Sequence, residues 1–200
     1  MGLAETAAFG VFNTFAISYA GSQLGIPEDR ILTGVLIASA GKIVMFPVFG
    51  MLSDRVGRRP MYMVGAAVVG LMAFPFFMLL NTGVTALVWL GLSFGFIFGN
   101  GLMFSVQATF FSELFGVRVR YSGVSLAYQL GGVLGGFVPF IATALLAVGG
   151  GEPWLVSAFL AALALLALLC TFLLTETFRA DVAEGEEGGP RPQPVGTSGE

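Results

Sequence analysis

The chain has 200 residues, of which 56% are hydrophobic and only 10% charged, with a formal net charge of -3. Soluble domains carry roughly 25% charged residues, so this composition belongs to an integral membrane chain. No basic stripe interleaved with aromatics suggests nucleic acid, the single Cys170 excludes a disulfide framework or a cysteine metal site within the chain, and histidine is absent, so we expect no enzyme, no metal and no cofactor.

Six apolar runs predict an all-α integral membrane protein, a six-transmembrane-helix bundle with helices at about 3–20, 31–52, 61–80, 84–111, 124–148 and 154–175. The membrane domain is then residues 1–175, and residues 176–200, rich in Glu, Gly, Pro and Ser, read as a disordered cytoplasmic tail. Breaks fall at Gly21–Arg30, Ser53–Pro60, Asn81–Gly83, Ser112–Gly123 and Gly149–Pro153, where loop-forming residues cluster.

The first helix has no basic leader and no A-x-A-like processing site, so it is expected to act as a span. The lack of a charged flank before Gly2 leads us to expect that the chain begins inside a longer protein. Thr6 and Asn13 share one face of this helix. Glu5 has two readings, a proton site or a solvated helix end.

In the second helix Lys42 lies eleven positions before Ser53, hence about 16 Å from the helix end and near the middle of the membrane. Snorkelling would have to reach halfway across the bilayer, which favours a lysine facing a cavity. There it has three possible roles: holding an anionic substrate group, pairing with a carboxylate from outside this chain, or joining proton coupling. A carboxylate-bearing metabolite fits best.

Between the second and third helices, Gly50 to Pro60 form a charged hairpin that cannot sit in hydrocarbon, so both helices end at one membrane face. Anchoring at the cytoplasmic surface accounts for Arg55, Arg58 and Arg59, but not for the accompanying Asp54, Gly50 and Gly57. In the fourth helix Ser93, Asn100 and Gln107 recur every seven residues on one face, either as interhelical hydrogen-bonding glue or as substrate contacts. Beyond it come Glu113, Arg118 and Arg120. The fifth helix carries Tyr128 and Gln129, which contact substrate or seal a gate. Gly91, Gly95 and Gly99 in helix four, and Gly131, Gly132, Gly135 and Gly136 in helix five, match the small-x-x-x-small spacing of close helix packing. Pro47, Pro75 and Pro139 are expected to kink their helices.

Residues 50–59, G-x-L-x-D-R-x-G-R-R, resemble the inter-helix signature of the major facilitator superfamily of transporters. The E-L-F-x-x-R-V-R of 113–120 resembles facilitators generally, and the Y-S-G-x-S-L-x-Y-Q-L-G-x-x-x-G-G of 121–136 resembles the metabolite:proton symporter (MHS) branch. Gly116 departs from the proline frequent at that position. The resemblance implies half of the superfamily's fold, helices seven to twelve of twelve, with a central cavity lined by the first and fourth helices, where Asn13 and Asn100 would stand. It implies proton-coupled symport of a small metabolite by alternating access, in a cell membrane and with both termini in the cytoplasm. The arginine distribution, with Arg30 alone on the far side, points to the same orientation. The implied cytoplasmic gate comprises Gly50, Asp54, Arg55, Gly57, Arg58 and Arg59, with Asp54 facing the start of helix five, Arg118 or Arg120 as its ion-pair partner, and Glu113 as a second partner. The implied substrate and proton pathway comprises Lys42, Asn13, Asn100, Gln107, Gln129, Tyr128 and Glu5. The partners are the lipid bilayer, the substrate, protons, and either an N-terminal transporter half or a second copy of the chain. Two other readings stay open: a non-transporting membrane interaction protein or inactive fragment, and a sugar-porter-type facilitator, although the Q-Q-type first-helix motif expected of the latter is absent.

Overall fold

The computed structural model describes residues 2–114 and 120–173, and of residues 112–114 and 120 it describes the backbone alone. Glu113, Arg120 and Arg118 as gate residues, and the tail after residue 175, therefore lie outside the side chains described. The described residues form six helical runs and no strand: α1 (2–22), α2 (Glu28–Val56), α3 (Arg58–Asn81), α4 (85–114), α5 (120–148) and α6 (Trp154–Leu173). In hydrocarbon the backbone must satisfy its own polar groups, and a helix does so within one segment. Runs α2 to α6 are each long and apolar enough to cross a bilayer. α1 packs between them and buries Ala4, Ala7, Ala8, Val11, Phe12, Phe15 and Ala16.

Two helices widen at their centres. In α1 the segment Gly10–Phe15 is π-helical, with the Ala16 N–H reaching back five residues to the Val11 carbonyl. In α4 the segment Gly95–Asn100 does the same, through the Gly101 N–H and the Phe96 carbonyl. Each π turn inserts an extra residue and so rotates the two halves of its helix against each other, and such turns collect at functional sites. The Phe12 ring fills the space above Gly95 and Gly99, where a Cβ would stand 3.3 Å and 3.8 Å from it respectively, so the two π segments pack on one another.

The most extensive packing pairs α3 with α4, followed by α2 with α4, α3 with α6 and α1 with α5. Small residues permit the closest approach: a Cβ at Gly135 of α5 would overlap Cγ2 of Thr6 in α1. From the π segment of α1 towards one end of the bundle, Phe12, Phe15, Tyr19, Phe76 and Phe77 form one aromatic cluster, with Phe12 and Phe76 centroids 4.8 Å apart and edge to face, and Phe15 and Tyr19 stacked. There the Tyr19 hydroxyl donates to Asn81 Oδ1 at 2.8 Å, tying α1 to α3.

The charged hairpin is tighter than its composition predicts. In place of the loop expected over Ser53–Pro60, α2 runs on to Val56, Gly57 alone breaks the helix at φ 107°, and α3 starts at Arg58. The reason is local: glycine takes positive φ without penalty, and Pro60 in the first turn of α3 gives up an N–H that has no intrahelical acceptor. The fifth helix likewise starts by Arg120, ahead of residue 124, and is interrupted at Phe137. Of the three prolines expected to kink, Pro139 stands beside that interruption, whereas Pro47 and Pro75 lie inside uninterrupted helices.

Candidate functional site

At the middle of the bundle a polar chain crosses three helices. Lys42 of α2 donates from Nζ to Oδ1 of Asn100 at the end of the α4 π turn. Asn100, fully buried, donates from Nδ2 to Glu5 Oε1 at 3.0 Å and to the Glu5 backbone carbonyl at 3.1 Å. Thr6 adds a long 3.4 Å hydrogen bond to Glu5 Oε2, and the Gln107 amide also faces this carboxylate. One carboxamide thus holds a cation by its oxygen and an anion by its nitrogen, so its orientation is dictated at both ends. A charge inside a membrane is costly, and opposite charges joined by a hydrogen-bonding bridge reduce that cost.

The lysine head is enclosed by phenylalanines. Its Nζ lies 4.7 Å from the Phe96 centroid, 5.0 Å from Phe104, 5.3 Å from Phe46 and 6.0 Å from Phe9. Ring faces are negative and attract an ammonium, most strongly away from water. The chain borders a cavity of about 570 Å³ walled by α1, α2, α4 and α5, within the size range of small-molecule sites. Asn13, Ser39, Lys42, Glu5, Gln107 and Tyr128 supply its polar lining.

The structure brings most of the pathway residues together and leaves some apart. Glu5 is 7% exposed, which removes the solvated-helix-end reading. Lys42 turns inward, and the carboxylate nearest to it along the chain of hydrogen bonds comes from α1 of the same bundle. Gln129 is exposed and does not line this cavity, and Ser93, on the Asn100 stripe, is half-buried outside it. Of the ridge glycines, Gly132 and Gly136 face open space. Sequence reasoning missed the phenylalanine enclosure, although Phe96 and Phe104 flank Asn100 by four residues and Phe46 stands four beyond Lys42, the spacing of one helix face.

At the hairpin, Asp54 pairs with Arg58 one turn on at 2.5 Å and is largely exposed. Arg55 is exposed, and Gly50 has nothing within 4 Å of a Cβ position. Arg59 reaches across to the end of α6, donating from Nε to the Thr171 carbonyl at 3.0 Å and from a terminal nitrogen to the Phe172 carbonyl at 2.6 Å. A guanidinium there gives two charge-assisted hydrogen bonds to backbone carbonyls of the last described turn of α6.

The model of the Major Facilitator Superfamily matches residues 1–197. The chain belongs to this superfamily. Among its curated relatives, the shikimate transporter of Escherichia coli K12 is 33% identical over 182 residues, covering 89% of this chain and 41% of the relative. The inner membrane metabolite transport protein YhjE of the same organism is 37% identical over 161 residues, covering 79% of this chain and 36% of the relative. The proline/betaine transporter of that organism is 29% identical over 140 residues, or 70% of this chain and 28% of the relative. The chain therefore spans well under half the length of these superfamily members. Their names agree with the metabolite:proton symporter branch that residues 121–136 resemble. No solved structure gives a significant match. As a superfamily member with several membrane-crossing helices, the chain is a multi-pass membrane protein.

Proposed function

We propose that this chain is the carboxyl-terminal six-helix half of a proton-coupled symporter that moves a small carboxylate-bearing metabolite by alternating access. The observation that carries this reading is the Lys42–Asn100–Glu5 bridge on the wall of a cavity inside an otherwise apolar bundle. Lys42 binds the substrate carboxylate and Glu5 carries the proton. With the cavity empty, the ammonium and the carboxylate leave the site with no net charge. Substrate alone makes it negative, and a proton on Glu5 restores neutrality, so both the empty and the doubly loaded site can cross between the two sides. The singly loaded site bears an uncompensated charge that low-dielectric surroundings oppose. Asn100 links the events, because a substrate that draws Lys42 away deprives Glu5 of the cation behind its hydrogen-bond partner.

The second wall of the cavity comes from an N-terminal transporter half or from a second copy of the chain. The hairpin residues Gly50, Asp54, Arg55, Gly57, Arg58 and Arg59 form the cytoplasmic gate, with Glu113 of α4 and, between α4 and the body of α5, Arg118 and Arg120 as partners. Arginine asymmetry supports an orientation with both termini in the cytoplasm, in what we take to be the cell membrane. Gradient-driven uptake of labelled shikimate and proline, the compounds for which relatives are named, tests the reading. Wild type accumulates one of them under an inward proton gradient and Lys42→Ala does not. Equal inactivity of the two would return the chain to the fragment reading.

A further inference from the structure

Gln107 is 2% exposed, and its Oε1 is the buried side-chain polar atom without a hydrogen-bond partner among the described residues. Its amide nitrogen is engaged, because it faces Glu5, which leaves the carbonyl oxygen as the unused end of the group. A buried acceptor left empty is a standing cost that native proteins seldom carry without a water or a ligand to meet it. Gln107 lines the cavity that also holds Lys42, and both residues connect to the same Glu5 carboxylate, Gln107 directly and Lys42 through Asn100.

Resting on the proposed carboxylate-binding role of Lys42, we propose that Gln107 Oε1 is a specificity element that accepts a hydrogen bond from a hydroxyl group of the substrate, so that the site selects hydroxylated carboxylic acids. The acceptor is neutral and needs only a neutral donor. A ligand ammonium would place a second cation beside Lys42, whereas a hydroxyl adds a donor without adding charge. Sites built to hydrogen-bond a hydroxyl reject the analogue lacking it, because the buried partner is then left unpaired.

The test is equilibrium binding of two labelled probes, cyclohexanecarboxylate and 3-hydroxycyclohexanecarboxylate, to de-energised membrane vesicles carrying the protein in its native assembly. Wild type prefers the hydroxylated acid by roughly 10-fold or more, the discrimination expected of one buried hydrogen bond. Gln107→Leu abolishes the preference, whereas Lys42→Gln weakens both acids together and keeps their ratio. Equal binding of both acids by wild type, or a preference that survives Gln107→Leu, overturns the role of Gln107 while leaving Lys42 as the anion site. Binding of neither acid by wild type overturns the carboxylate reading and this inference with it. If Gln107→Leu fails to fold, the near-isosteric Gln107→Met is read in its place, and a preference that survives it overturns the role of Gln107.

Discussion

Glu5 and Lys42 sit on opposite sides of one carboxamide, with Asn100 accepting from the Lys42 ammonium and donating to the Glu5 carboxylate. The three residues come from α1, α2 and α4, so the bridge also fastens three helices at the membrane middle. Asn100→Leu strands both charges at once. Breaking a buried charge network costs on the order of 3–5 kcal/mol, so the variant's unfolding midpoint in lipid nanodiscs falls steeply and gradient-driven uptake drops by two orders of magnitude or more. Ser93→Ala, on the same stripe but outside the cavity, changes stability by less than about 0.5 kcal/mol. Equal effects at the two positions would mean that the stripe is structural glue alone.

Proton coupling through Glu5 has a definite sign. Under the proposed coupling the loaded site carries a protonated Glu5, so uptake is expected to rise as external pH falls and to decline as pH rises. Glu5→Gln is permanently neutral there: it flattens the pH profile and loses accumulation against a gradient, while substrate exchange between the two sides survives. A Gln variant that kept the wild-type pH slope would move the proton site elsewhere.

Arg59 holds the end of α6 by two hydrogen bonds to backbone carbonyls, and its guanidinium lies 5.7 Å from the Phe172 ring. Lysine cannot reproduce this fork, so Arg59→Lys costs about 1–2 kcal/mol, read as roughly 10-fold faster amide hydrogen exchange over the last turn of α6. Arg55→Lys, at an exposed position, leaves that exchange unchanged. Comparable acceleration by both would assign the hairpin arginines a common, non-specific anchoring role.

Gly135 and Gly132 are three residues apart in α5 and have opposite surroundings. A methyl at Gly135 would collide with the Thr6 side chain, while one at Gly132 has nothing within 4 Å. Gly135→Ala therefore pries α5 from α1 and destabilises by about 1–3 kcal/mol. Gly132→Ala is neutral or stabilising by up to ~1 kcal/mol, because alanine is the better helix former. Thermal unfolding of the two variants in the same detergent reads the difference directly, and equal midpoints would remove the close contact.

Fold class, the superfamily and the position of Lys42 were legible along the chain, because each rests on local quantities. Hydropathy over about twenty residues defines a span, the motif over residues 50–59 is contiguous, and the depth of Lys42 derives from helical rise. The heptad spacing placed Asn100 and Gln107 on one face. The surroundings of that face were beyond the same reasoning: a stripe looks alike whether it faces a neighbouring helix, water or a lysine. Glu5 shows this most clearly. Near the first residue of the chain it also reads as a solvated end, and only the packing of α1 among α2, α4 and α5 buries it against Asn100. Gly57 is the converse case, since the sequence marked a turn there but not that one residue would make all of it.

By itself, then, the sequence determined that the chain is a bundle of membrane helices of this superfamily, with an arginine-rich hairpin on one side and a lysine at mid-depth. Tertiary structure alone decided that Lys42, Asn100 and Glu5 form one chain, that four phenylalanines enclose the ammonium, and that Gln107 keeps a free acceptor beside them. The physical reason is one of range. Insertion into a bilayer depends on summed properties of consecutive residues, whereas a polar site within it depends on angles and distances between helices, which the π turns of α1 and α4 and the close Gly135–Thr6 contact help to set.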